Sequence, residues 1–119
     1  NKKIILIDRF IDSTIAYQHY GMGVELRIIK LINKFLLKNI KIDFTFLNIV
    51  NKKNLFQRLK QRKNLNRYDQ FNMSFYNKVQ KGFLKLAKSN KRLYQIIDSN
   101  LDIRSNEDLI KKQIINLIK

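Results

Sequence analysis

Apolar residues along this chain follow two rhythms. Short uninterrupted runs at Ile4-Ile5-Leu6-Ile7, over residues 43–50 and over residues 93–98 have the length and the β-branched or aromatic content of buried strands, although Asn48 interrupts the second. Between them the spacing becomes helical. Val24, Ile28, Leu31, Ile32 and Phe35 form one stripe with Lys30, Lys34 and Lys38 off it, and Phe75, Val79, Phe83 and Leu86 form another. The pattern predicts strands at 3–7, 43–50 and 93–98. It predicts a short helix or helical turn over 13–18 and helices over 24–37, 52–63, about 70–88, and from Ser105 onward. Ser105 is the expected cap of the last helix, with Asp108 at the capping-box position. Gly21 and Gly23 break the chain before the 24–37 helix, Asn39 ends it, and Asn64-Leu65-Asn66 reads as a turn. Strands alternating with helices imply an α/β fold with a parallel sheet. With no Pro, no repeat and no long linker, the 119 residues read as one domain or part of one.

Charge complicates this picture. Lys and Arg number 25 against 9 Asp and Glu, a formal net charge of +16, which ordinarily points to nucleic acid or an anionic membrane. A compositional origin competes with that reading, because 18 Lys, 14 Asn and 18 Ile make up 50 of the 119 residues, all types favoured by AT-rich codons. The absence of Cys excludes disulfides and thiolate metal sites and fits a reducing cytoplasm. A single histidine, His19, is too little for a typical zinc site. No apolar stretch approaches the roughly 18 residues of a membrane span, and the apolar run after Asn1-Lys2-Lys3 is too short for a signal peptide. The chain reads as soluble and cytoplasmic.

The candidate chemistry lies at the end of the first apolar run, where Asp8-Arg9-Phe10 is followed by Ser13-Thr14-Ile15-Ala16-Tyr17-Gln18. In open α/β sheets, ligands collect beyond the carboxyl ends of strands. A carboxylate there can hold Mg²⁺ through its water shell, and the planar guanidinium fork matches phosphate oxygens. Helical spacing puts Ser13, Thr14, Tyr17 and Gln18 on one face, an arrangement equally compatible with a capped helix and a packed tyrosine. Arg58 and Arg62 are i,i+4 neighbours on the basic helix, and Arg67 follows a short turn.

The string D-R-F-I-D-S-T-I-A-Y-Q, continuing to Gly21-Met22-Gly23, is similar to the D-R-[YFH]-x-x-S-[ST]-x-A-Y-Q…G-x-G signature of bacterial thymidylate kinases. Asp43-Phe44-Thr45-Phe46-Leu47 resembles that family's P-D-L-T-F-L strand, with Ile42 in place of the Pro. Arg58 to Asp69 resembles its lid, R-x-x-x-R-G-x-L-D-R-[FI]-E, with Lys63 for the Gly and Asn66 for the Asp. Asn48-Ile49 also replaces the usual Leu-Asp. Phe75-Tyr76, Val79, Gly82-Phe83 and Leu86-Ala87 resemble the long helix after the lid, and Ile96-Ile97-Asp98 the last strand.

The resemblance implies a three-layer, parallel-sheet P-loop kinase fold, here incomplete, with about three strands and five helices. It also implies transfer of the ATP γ-phosphate to dTMP with Mg²⁺. Asp8 would place the metal through water, and Arg9 would grip the acceptor phosphate. Phe10, Ser13, Thr14, Tyr17 and Gln18 would form the dTMP pocket, with Thr14 and Gln18 toward thymine and Tyr17 against the 2′ edge of the sugar. Arg58, Arg62 and Arg67, in a lid spanning about 58–69, would reach the ATP phosphates. The family's G-x-x-x-x-G-K-[ST] loop has no counterpart, since Gly21, Gly23 and Gly82 lack that spacing. Residues 1–119 are therefore expected to be the C-terminal part of a single kinase domain, inactive alone and homodimeric when whole. In the family the glycine-loop strand lies between the strands matching 3–7 and 43–50, so an unpaired edge is expected beside residues 3–7. Two other readings stay open: a basic nucleic-acid-binding domain, with aromatics interleaved among lysines over 67–88, and a non-catalytic kinase homologue.

Overall fold

The computed structural model describes residues 3–62, 64 and 72–119. In chain order they form α1 (Ile11–Thr14), which runs on as a π-helical stretch (Ile15–Gly21), then α2 (Leu26–Leu36), β1 (Thr45–Ile49) and α3 (Lys52–Gln61). There follow α4 (Met73–Ser89), a 3₁₀ turn (Lys91–Leu93), β2 (Tyr94–Asp98) and α5 (Ile103–Ile118). β1 and β2 pair in parallel, with Thr45 opposite Tyr94 and Ile49 opposite Asp98. The Ser99 N–H donates to the Ile49 carbonyl at 2.8 Å, carrying the ladder one step further. The return between the two strands runs through α3 and α4, and α4 packs on both strands. The amide of Val50 donates to Gln80 Oε1 at 3.1 Å and fastens the end of β1 to that helix.

The sheet has two strands among the described residues, not the three expected. Residues 3–7 form no ladder, and Ile5 and Leu6 are 79% and 81% exposed. A β-branched run favours extended backbone, but a strand persists only where a neighbour takes its N–H and C=O groups. Neither β1 nor β2 pairs with these residues. The result is an α/β arrangement reduced to a parallel pair in a largely helical chain.

The core forms where the helix over 11–21 crosses α4. Ala16, Phe75 and Val79 are buried there, with Tyr17, Tyr76 and Phe83 packed around them. Tyr17 meets Phe75 and Phe83 edge-on, with ring centroids 6.0 and 6.3 Å apart. Two glycines permit this approach. A Cβ on Gly21 would stand 2.6 Å from Phe75 Cε2, and one on Gly82 would stand 2.5 to 2.8 Å from Tyr20 Cδ2, Cγ and Cβ. Past Gly21, Gly23 takes a φ of +79° and turns the chain toward α2. There His19 Nδ1 donates to the Val24 carbonyl at 2.8 Å, so the lone histidine closes a helix end.

The capping residues show why the helices start where they do. Asn51, Asn72 and Asp102 accept backbone N–H groups from Asn54, Phe75 and Ser105 at 2.8, 3.0 and 2.9 Å. Asp102 thus caps α5, three residues ahead of the expected Ser105, whose hydroxyl instead donates to the Asp102 carboxylate. The α2 stripe also departs from expectation. Ile29 is buried while Phe35 is 82% exposed, because α2 meets the rest of the fold chiefly at the end of the π-helical stretch.

Gly82→Ala should be destabilising. Alanine gains about 1 kcal/mol of helix propensity over glycine, whereas overpacking costs about 1–3 kcal/mol. Here the nearest atoms include Tyr20 Cβ, which is bonded to its own backbone and cannot swing aside. We expect urea denaturation to show a net loss of about 1 kcal/mol, and an equal or higher midpoint would mean the two helices separate freely.

Candidate functional site

The site begins with an irregular turn. Arg9 has a φ of 61°, the one non-glycine residue in the left-handed region among those described. Such a backbone costs about 1–2 kcal/mol for a side chain with a Cβ, and strain of this kind gathers at functional sites. The next residue, Phe10, ends the turn as the N-cap of α1 and accepts the Ser13 N–H on its carbonyl at 3.0 Å. The reversed turn carries the Arg9 side chain back over the helix it precedes, with its guanidinium carbon 5.5 Å from the centre of the Tyr17 ring.

From residue 15 the helix widens to the π form, and the Met22 N–H reaches the Tyr17 carbonyl five residues back at 3.0 Å. In this wide turn Ala16, Tyr17, Tyr20 and Gly21 all face α4. Arg9, Ser13, Thr14, Tyr17 and Gln18 together line a depression of about 140 Å³. Five of the residues expected to hold a nucleotide therefore share one concavity, one wall of which is charged, one hydroxylic and one aromatic. Tyr17 belongs to both the core and the pocket. Phe10 is half-buried beside it and does not line it.

The remaining candidates lie elsewhere. Asp8 is exposed in the bend just before Arg9. Arg58, on α3, donates through Nη2 to the Ser99 carbonyl at 2.6 Å, so its guanidinium sits beyond the carboxyl end of β2. Arg62 follows the last turn of α3, its N–H bonded to the Leu59 carbonyl at 3.3 Å. Arg67, with half of the expected lid including Lys63 and Asn66, lies outside the described residues.

A polar knot at the strand ends escaped the sequence reading. Asn100 Oδ1 accepts both the Asn51 N–H at 3.1 Å and Asn54 Nδ2 at 2.9 Å. Asn100 donates in turn to Asp98 Oδ1 from its backbone N–H at 2.9 Å and its side chain at 2.6 Å. Asn106 Nδ2 closes the knot on the Asp98 carbonyl at 2.8 Å. The only signal available was Asn or Asp just after each strand, which is common turn chemistry.

Among the described residues no group of three His, Cys, Asp or Glu converges as a metal site, and no helix is long and apolar enough to cross a membrane. The aromatics of the 72–88 segment are turned inward: Phe75 is buried, and Tyr76 and Phe83 pack against it. They do not present the open stacking surface that single-stranded nucleic acid needs.

Comparison with known proteins agrees with the motif. The family model for thymidylate kinase matches residues 1–110. A thymidylate kinase from Trichodesmium erythraeum is 43% identical over 98 residues, covering 82% of this chain and 43% of that protein. Another, from Wolbachia pipientis wMel, is 48% identical over 86 residues, 71% of this chain and 41% of the relative. A third, from Sulfurihydrogenibium sp., is 34% identical over 116 residues, 98% of this chain and 54% of the relative. The chain spans about half the length of the relatives it matches.

The Arg9 turn separates function from stability. Replacing Arg9 with Gly removes the Cβ that makes this φ costly, so Arg9→Gly should raise stability by about 1 kcal/mol, whereas Arg9→Ala, which keeps the Cβ, should not. Paired chemical denaturation curves read the difference. Equal stabilities for the two variants would show the turn to be unstrained.

Proposed function

Because the chain belongs to the thymidylate kinase family, we propose that it supplies the acceptor-nucleotide side of an ATP-dependent kinase that converts dTMP to dTDP. The observation that carries this reading is the single pocket lined by Arg9, Ser13, Thr14, Tyr17 and Gln18, with Arg9 held over it by a strained turn. In the reaction an oxygen of the dTMP phosphate attacks the γ-phosphorus of ATP, the bond to the β-phosphate oxygen breaks, and ADP leaves. Phosphoryl transfer asks little covalent chemistry of a protein, so positioning and charge neutralisation are what the side chains contribute.

Arg9 grips the acceptor phosphate through its planar fork and sets it in line for attack. Thr14 and Gln18 meet the base with hydroxyl and amide groups. Tyr17, fixed by Phe75 and Phe83, closes the 2′ edge of the sugar, where a ribose hydroxyl would find neither room nor a partner. Bound Mg²⁺ would supply positive charge for the transferring phosphoryl group. Asp8, whose carboxylate is exposed just before Arg9, would hold the ion through its water shell. Arg58, Arg62 and Arg67 serve the donor phosphates. For Arg58 this requires exchange of its bond to the Ser99 carbonyl, the kind of rearrangement a closing lid makes.

These 119 residues contain no glycine loop to cradle the donor phosphates. The chain by itself should therefore give no turnover in a coupled ADP assay, and robust dTDP formation from it would overturn this assignment of parts.

Two variants of the full-length gene product test the pocket. Arg9→Lys keeps the charge and loses the fork, and kcat should fall by on the order of 10³, as for other arginines that act on transferring phosphoryl groups. Retention of most of kcat would make Arg9 structural. Tyr17→Ala should narrow the preference for dTMP over its ribonucleotide, read as the ratio of the two kcat/KM values. An unchanged ratio with equal losses would assign Tyr17 to the core alone.

A further inference from the structure

Outside the pocket, the contact that bears most on it joins α1 to β2. The Tyr94 hydroxyl, at the start of β2, donates to the carboxylate of Asp12 in the first turn of α1, a bond between residues 82 apart in sequence. Otherwise the turn is held by the Ser13 N–H on the Phe10 carbonyl and by a limited contact with α4. None of its residues is buried, and its N-cap, Phe10, makes no side-chain cap. The buried residues of the helix begin at Ile15 and Ala16. Yet this turn carries Ser13 and Thr14, two of the five residues lining the pocket, and directly follows Arg9.

The geometry gives Asp12 a distinct task. At 3.6 residues per turn Ser13 and Thr14 lie roughly 100° and 160° round the helix from Asp12, so a tie on Asp12 holds the turn from behind without entering the pocket. Asp12 and Tyr94 also line a separate cavity of about 250 Å³ whose other walls include Ile11, Ile42, Leu86 and Leu93. In such partly apolar surroundings a charge-assisted hydrogen bond is stronger than in water. Burial, and then the bond to Asp12, push the Tyr94 hydroxyl above its ordinary pKa.

We infer that Tyr94 is a positioning residue for the nucleotide pocket, setting through Asp12 the rotation of the helical turn that presents Ser13 and Thr14. The inference rests on the acceptor-site reading given above. Tyr94 touches no substrate, and its hydroxyl acts by fixing where two other hydroxyls point. Loss of the tie should loosen acceptor binding and leave the donor side unaffected.

The test uses the full-length gene product with Tyr94→Phe, Asp12→Ala and Asp12→Asn, of which the last retains an oxygen acceptor for the tyrosine. We expect Tyr94→Phe and Asp12→Ala each to raise KM for dTMP about tenfold with KM for ATP unchanged. The double variant should be no worse than either single one, and Asp12→Asn should stay near the parent. An unchanged KM for dTMP in Tyr94→Phe, a parallel rise in both KM values, or additive losses would overturn the inference. If Tyr94→Phe does not fold, the comparison of Asp12→Asn with Asp12→Ala decides by the same criterion. A parent protein that does not phosphorylate dTMP would defeat the acceptor-site reading instead. Amide hydrogen exchange over residues 11–18 then tests the tie alone: faster exchange in Tyr94→Phe there but not in α4 supports it, and unchanged exchange overturns it.

Discussion

How closely two helices approach one another governs the rest of this structure. Gly21 and Gly82 remove the two Cβ atoms that would otherwise strike Phe75 and Tyr20. With them absent, the helix over 11–21 lies against α4 closely enough to bury Ala16 completely. The wide π turn then decides which side chains go inward, because residues four and five apart share the packed face. Ala16, Tyr20 and Gly21 are committed to α4, Ser13, Thr14 and Gln18 to the pocket, and Tyr17 serves both. A π-helical insertion in an otherwise α-helical element is uncommon and often marks function. Here its effect is to put an aromatic ring where the core and the pocket meet.

The strained Arg9 turn depends on that packing. A left-handed arginine is unfavourable in isolation and persists only when its surroundings over-determine it. The Phe10 carbonyl holds the first turn from one end, and the Tyr17 ring, braced by Phe75 and Phe83, receives the guanidinium at the other. Arg9, lining the pocket beside two hydroxyls and an amide, is thus placed by elements of the core, with no ion pair to it among the described residues. An arginine held by a ring face keeps its five N–H donors for an anion, which a carboxylate partner would have occupied.

Much of this was legible in the sequence because it is local. The D-R-F…A-Y-Q string gave both the helical turn and the five residues that converge on one depression, and the stripe Phe75, Val79, Phe83 marked the face of α4 that packs against it. The 45–49 and 94–98 strands fell within the expected runs. What was not legible depends on partners far away in the chain. No pattern pairs Tyr94 with Asp12, or lets Asn100 join α3 to β2, since such contacts follow from the crossing of elements and not from their periodicity. The early start of α5 is a smaller case: Asp102 and Ser105 both have capping chemistry, and geometry chose the acid.

The strand expected at 3–7 shows the same division from the other side. An α-helix satisfies its backbone within its own segment, so α2 and α5 form even though most of α2's apolar stripe is exposed and α5 buries no residue. A strand has no such recourse, and the run Ile4-Ile5-Leu6-Ile7, the most strand-like in composition, joins no ladder among the described residues while the less apolar 45–49 segment forms one with β2. Hydrophobicity ranks these two segments in the wrong order, because the deciding term is the neighbour's hydrogen bonds. Arg9 lies two residues beyond that run, so the pocket is anchored on its helical side by Phe75, Val79 and the Tyr94–Asp12 bond. On its strand side the Arg9 turn is held by the Phe10 carbonyl and the Tyr17 ring, because residues 3–7 join no ladder among the described residues.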